Sequence, residues 1–269
     1  MKALISLSAV LTLSLLAGGC ANISPGNVAA IQPISDASSQ RAGNAYLFRG
    51  FIGVFSTGMN SLGEQLSDQG VRTMVFQADQ WEDVAGSIEA KYKAAPNVEP
   101  VVLVGHSYGA DNILKIAQKL NEKNVKVDLI ITLDPVTPPK VTPNVVKVVN
   151  IYQSNGVMDT MPWLRGIPLE EETPGSVTLL NEDIRVNRTE LLGDGVNHFN
   201  IEKKPKIHGE IIKQVLAVCV TKQAWAAKAT NELPGAPAQA AIELPSPASE
   251  SLTSSGTPMR EASANAARH

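Results

Sequence analysis

Cysteine is nearly absent from this chain of 269 residues, with Cys20 and Cys219 the two present. That excludes a disulfide framework, so a folded domain must be held by burial alone. Basic charge is not in excess either. Lys and Arg number 23 against 26 Asp and Glu, for a net charge of −3 and a pI near 5.9. Nothing in that balance points to a nucleic-acid partner. Histidine is scarce: His106, His198, His208 and His269 are the four, and no cluster of ligand residues has the spacing of a metal site. No internal repeat is present. The long apolar run at residues 3–17 is too short to span a bilayer comfortably.

That run follows Lys2 and ends in Ala17-Gly18-Gly19-Cys20. A charged start, an apolar stretch and small residues make a secretory signal peptide, residues 1–19, which takes no part in the fold. The small residues before Cys20 resemble the lipobox of bacterial lipoproteins. The resemblance implies lipidation of Cys20, export to a bacterial cell envelope and a membrane anchor. Ala21 is not the aspartate associated with inner-membrane retention, which favours the outer membrane, facing the periplasm. Ala17, however, stands where leucine is usual. Ordinary cleavage beside Gly19 or Ala21, giving a soluble periplasmic or secreted protein, is the alternative.

Residues 20–43 are polar and loosely patterned, as expected of a linker. Residues 223–269 are dominated by Ala, Pro, Ser, Gly and Glu, too poor in large apolar side chains to offset ordering entropy, and are expected to be disordered. Residues 44–222 are left as one domain, long enough for an adequate core. Within it Cys219 lies in an apolar run and reads as a small buried hydrophobe. A Cys20–Cys219 disulfide stays open if neither residue is lipidated or removed.

The domain is organised around Val101-Val102-Leu103-Val104, a run suited to a strand buried on both faces. It is followed at once by Gly105-His106-Ser107-Tyr108-Gly109, which is G-x-S-x-G, and then by a helical pattern with Ile113, Ile116, Ala117 and Leu120 on one face and Asp111 and Lys115 off it. Strand, motif and helix in succession are the context of a nucleophile elbow, with Ser107 as nucleophile. Around it, strands are expected at 45–48, 71–76, 127–133 and 145–152, and helices at 59–69, at 84–93 with Asp83 as cap, and at 206–220. Residues 176–180 form a last strand or a hairpin with 184–191. Repeated β-α-β units imply a mainly parallel sheet with helices on both faces and a site at the carboxyl ends of its strands.

That rule selects the partners of Ser107. The turn Gly50-Phe51-Ile52-Gly53 follows the first strand, and its amides can meet that of Tyr108 on an oxyanion, with Phe51 the first donor and Ile52 the neighbouring option. Asp134 ends the strand after the elbow helix, released by Pro135; Asp159, after the next strand, is its rival. His198 sits in a loop before the last helix and completes the order Ser107, Asp134, His198. His208, inside that helix, is the alternative base. His106 reads as structural. The stretch 158–169 is apolar and without period. It either lines an acyl pocket through Met158, Met161 and Trp163 or packs as a surface loop.

The elbow, the Arg49-Gly50-Phe51 turn, Asp134 before proline and His198 ahead of the closing helix resemble the α/β-hydrolase superfamily of lipases and esterases over residues 44–220. The resemblance implies an α/β-hydrolase fold, and because the sequence shows no large insertion to serve as a cap domain, a minimal one is expected. The resemblance also implies a serine hydrolase acting on ester or thioester bonds through an acyl-enzyme, with no cofactor and no metal. Small-molecule, lipid or cell-wall esters are the substrates expected. Two departures stand out: Arg49 where many members have histidine, and a proline-rich link at 135–144 without a helix. A non-catalytic envelope lipoprotein and an acyltransferase are the competing functions.

Overall fold

In the computed structural model the described residues are 24–31, 39–51, 56–94, 99–154 and 166–232. Six strands make one sheet: β1 (Asn44–Phe48), β2 (Arg72–Phe76), β3 (Val101–His106), β4 (Leu129–Leu133), β5 (Lys147–Tyr152) and β6 (Thr178–Asp183). Their order is β2-β1-β3-β4-β5-β6, and every neighbouring pair is parallel. The helices are α1 (Gly58–Asp68), α2 (Trp81–Ala94), α3 (Tyr108–Asn121), α4 (Pro205–Val218) and α5 (Lys222–Glu232).

Side-chain alternation along the strands divides the core in two. Tyr46 and Phe48 of β1, Val101 and Leu103 of β3 and Ile130 of β4 pack with Val84 and Ile88 of α2 and with Ile113, Ile116 and Leu120 of α3. Ala45, Leu47, Val102, Val104, Ile131 and Leu133 face the other way, onto Met59, Leu62 and Leu66 of α1 and Ile207, Ile211 and Val215 of α4. Helices on both faces explain why β1, β3 and β4 are buried along their whole length and carry continuous apolar runs. This is the expected minimal α/β-hydrolase fold, and among the described residues no cap domain interrupts it. The proline-rich link after β4 contains no helix, as its composition predicts.

Residues 176–191 take the first of their two expected forms, a last strand: β6 pairs in parallel with β5. The chain then turns away at Asp183, whose Oδ1 accepts from the Arg185 amide at 2.9 Å. Elsewhere the structure departs from the sequence expectations. Helix α2 begins at Trp81, so Asp83 lies in its first turn and is not its cap. Ahead of it, Gln77 and Gln80 form a reciprocal capping box around a short 3-10 turn. The expected linker is in part docked. Gly26 exchanges two hydrogen bonds of 2.8 Å with the Gln80 side chain, and Ile31 joins the core. Residues 40–42 pair with 219–222 through the Ala42 amide to the Val220 carbonyl and the Arg41–Thr221 bridge. Helix α5 occupies residues assigned to the disordered tail. Lys222-Gln223-Ala224-Trp225-Ala226-Ala227-Lys228 is dominated by good helix formers, a local preference that the composition of the longer tail masks. Cys219 is free and fully buried, and burial pushes its thiol up to about 12.

Asp111 was expected off the apolar face of α3 but is only 1 % exposed. Its carboxylate accepts from the Val136 and Thr137 amides, each at 2.9 Å, and from Thr137 Oγ1 at 3.1 Å. It thus pins the link that leaves Asp134. Asp111→Ala strands these buried donors and should cost about 2–4 kcal/mol. Urea unfolding should show a lower midpoint at unchanged slope.

Candidate active site

The elbow is built from backbone contacts that leave no room for a β-carbon. One added at Gly105 would lie 2.5 Å from the Gly109 carbonyl oxygen, and one at Gly109 would lie 2.4 Å from that of Arg49. The first contact packs the strand end against the helix start; the second lays the helix start on the end of β1. Between them Ser107 takes φ 56° and ψ −126°, a strained conformation for a residue with a side chain. The surroundings impose it. The Ser107 amide donates to the Leu133 carbonyl at 2.9 Å, and the Ser107 carbonyl accepts from Ala110 at 2.9 Å.

Three sequence-predicted residues come together here. His198 Nε2 is 3.0 Å from Ser107 Oγ, and His198 Nδ1 is 3.5 Å from Asp134 Oδ2. All three residues are buried. A carboxylate only accepts, so the imidazole proton belongs on Nδ1 and Nε2 is left to take the serine hydroxyl proton. The Nδ1–Oδ2 distance exceeds that of a good hydrogen bond, and Nδ1 has no other partner. A ring tilt of about 0.5 Å closes it, the kind of tightening that substrate binding brings to such contacts.

Asp134 is set firmly. It has φ 45°, and its Oδ1 accepts from the Gln153 amide at 3.0 Å while Oδ2 accepts from Gln153 Nε2 at 2.9 Å. Arg185 Nη2 in turn holds Gln153 Oε1 at 2.9 Å. Gly166 lies against the carboxylate so closely that a β-carbon there would be 2.3 Å from Oδ1. Gln153 and Arg185 were not anticipated from the sequence. The available signal was the position of Gln153 directly after β5, at the carboxyl edge where the rule of parallel sheets puts functional groups.

The amides of the candidate oxyanion turn divide by use. Gly50 N–H donates to Ser56 Oγ at 2.8 Å and is spent. Phe51 is 63 % exposed, and its ring lies 5.7 Å from that of Tyr108, the first residue of α3. The Tyr108 amide is among those a helix start leaves without an intrahelical partner. Arg49 is buried and serves as a tie, with Nε on Asn60 Oδ1 at 2.9 Å and Nη1 on the Ser24 carbonyl at 2.8 Å. Ile52, Asp159, Met158, Met161, Trp163, His269 and Cys20 lie outside the described residues. His208 is held away from Ser107, between Gln65 Nε2 at 3.1 Å and the Glu202 carbonyl at 2.7 Å. His106 is buried and bonded at both ring nitrogens, as its structural reading requires. Among the described residues no three His, Cys, Asp or Glu side chains gather as a metal site, and no helix is long and apolar enough to cross a membrane.

No protein-family model matches the chain, and no curated protein matches it. Among solved structures it aligns with a cutinase-like protein from Cryptococcus sp., at 14 % identity and a TM-score of 0.41 over 68 % of this chain and 97 % of that one. It aligns with Aspergillus fumigatus lipase B at 12 % identity and 0.47, over 76 % of this chain and 64 % of that one, so it spans just under two thirds of that lipase. A putative hydrolase of the α/β superfamily from Xanthomonas campestris pv. campestris aligns at 12 % and 0.33, over 64 % of this chain and 99 % of that one. Likeness at these values concerns the general course of the chain and nothing of its chemistry.

Glu202, four residues past His198, was not anticipated. It is fully buried, and neither carboxyl oxygen has a hydrogen-bond partner. Burial pushes its carboxyl up from 4.5 to about 7, against the pull of Lys203 and of the Glu202 and Gly58 amide dipoles. A raised folded value means that this group's contribution to stability is complete below 4.5 and is lost as pH rises through 7. Glu202→Gln, neutral throughout, should match the parent at pH 4.5 and exceed its stability at pH 8 by on the order of 2 kcal/mol. Urea unfolding at the two pH values measures the difference.

Proposed function

We propose that this chain is a serine hydrolase of carboxylic esters or thioesters, exported to a bacterial cell envelope. The observation that carries the reading is the 3.0 Å contact between His198 Nε2 and the hydroxyl of a serine in strained elbow geometry. In this mechanism His198 takes the Ser107 proton as Oγ attacks the acyl carbonyl. The Phe51 and Tyr108 amides bind the oxyanion, and Asp134 stabilises the imidazolium. Collapse expels the alcohol or thiol, protonated by His198. Water, activated by the same imidazole, then releases the acid and restores the serine. Met158, Met161 and Trp163 are proposed contacts of the acyl group. Lipidation at Cys20 is proposed to hold the enzyme at the membrane, within reach of lipid or cell-wall esters.

Short p-nitrophenyl esters test the chemistry. Ser107→Ala should lose turnover by about 10³-fold or more while keeping its far-UV circular dichroism, and only the parent should label with a fluorophosphonate. Full activity in Ser107→Ala would sink the assignment. A folded parent that resists the probe points instead to a binding lipoprotein, and alcohol acceptors that outcompete water point to an acyltransferase. Asp134→Asn should lower kcat on the order of 10³- to 10⁴-fold, whereas Asp159→Asn should stay within a few-fold of the parent. Metabolic labelling with a fatty acid should mark the parent and not Cys20→Ala.

A further inference from the structure

A buried chain of hydrogen bonds joins the oxyanion turn to the base without passing through Ser107. The Gly50 amide lies 2.8 Å from Ser56 Oγ, Ser56 Oγ lies 2.8 Å from His106 Nδ1, and His106 Nε2 lies 2.9 Å from the carbonyl oxygen of His198. Ser56 is 1 % exposed and His106 2 %. Each polarity in the chain follows from its ends. A carbonyl oxygen only accepts, so His106 carries its proton on Nε2. The ring is neutral, its titration pushed down to about 3, first of all by burial. A neutral ring has one N–H, so Nδ1 accepts and the Ser56 hydroxyl must donate to it. The hydroxyl's lone pair is then what the Gly50 amide meets. Every group has one role, and no member can reverse alone.

The two ends of this chain are the parts whose separation matters for acyl transfer. Gly50 precedes the donor Phe51, and a β-carbon at Gly50 would lie 3.2 Å from Ser107 Cβ. At the other end the bonded carbonyl belongs to His198 itself, whose ring lies 5.2 Å from that of His106.

We infer that Ser56 and His106 are positioning residues, a strut of fixed polarity that sets the oxyanion turn and the base at one distance from each other. This rests on the hydrolase function proposed above. Neither residue touches the substrate. Their effect is on the geometry in which the transition state is met, so it belongs in kcat and not in the affinity for the ground state.

Turnover of p-nitrophenyl butyrate by the full chain tests it, with Ser107→Ala as the blank. Ser56→Ala, assayed well below its melting temperature, should lower kcat about 10- to 100-fold with KM within about three-fold. Ser56→Thr, which keeps the hydroxyl, should recover most of the rate. His106→Gln offers an amide N–H and a carbonyl in the same two directions and should exceed His106→Leu, which offers neither. If Ser56→Ala does not fold, Ser56→Cys, of similar size and a weak donor, takes its place. ¹⁵N spectra of the histidine rings should show His106 protonated at Nε2 in the parent and the His198 ring signals displaced in Ser56→Ala. Parent-like kcat in Ser56→Ala, or His106 protonated at Nδ1, overturns the strut and leaves the hydrolase standing. A folded parent without turnover overturns the hydrolase and the strut together.

Discussion

The site depends on one backbone contact, the seating of Gly109 on the Phe48 and Arg49 carbonyls at the end of β1. It carries no charge and has no side-chain partner. Its force is steric: two chain segments approach to a distance that only hydrogen on the α-carbon permits. Because α3 starts on the end of β1, the turn that leaves β1 is brought beneath Ser107. Because Gly105 lies on Gly109, the strand must reverse into the helix within the motif, and Ser107 is left to absorb the strain. The parallel register of β1, β3 and β4 carries this placement sideways. Phe48 is level with Gly105, and His106 is level with Leu133, so the Gly50–Phe51 turn, Ser107 and Asp134 leave the sheet along one edge.

Around that edge the protein buries many polar groups and satisfies most of them in a single way. Asp134 meets Gln153 twice, Asp111 meets the link after β4, and His106 meets Ser56 and the His198 carbonyl. A buried polar group without a partner is costly, so each satisfied pair excludes alternative arrangements of the loops that bear it. The exceptions lie at His198 and just after it in the chain. His198 Nδ1 is short of its partner, and the Glu202 carboxyl lacks a hydrogen bond, with Lys203 Nζ 3.7 Å from its Oε1. Rigid surroundings with one slack contact are what the base of the proposed mechanism needs, since it turns slightly as the proton moves.

The features visible in the amino-acid sequence were those whose physics is local. A doubly buried strand must be apolar throughout. An elbow needs small residues at fixed offsets from its serine. A proline after Asp134 stops a strand, and a chain order of Ser, Asp and His suits a sheet edge. Each is a short-range steric or hydrophobic demand, so the strands, the elbow and the three residues that meet there could be named in advance. Asp83 falls inside the first turn of α2 because a 3-10 turn, capped by Gln77 and Gln80, leads directly into the helix at Trp81. Helix α5 was hidden by the composition of the residues beyond it.

What waited for folding, beyond the meeting of Ser107, Asp134 and His198, was the set of partnerships between residues distant along the chain. Ser56 is 50 positions from His106, Gln153 is 19 from Asp134, and Gly26 is 54 from Gln80. No local pattern marks such pairs, because a hydrogen bond's worth depends on burial and direction, and both are set by how the layers pack. The same holds for β6, whose residues suit a hairpin or a parallel edge equally, the choice falling to the strand beside it. Local chemistry therefore names the three residues that meet at this site, while packing sets their distances and the neighbours that hold them there.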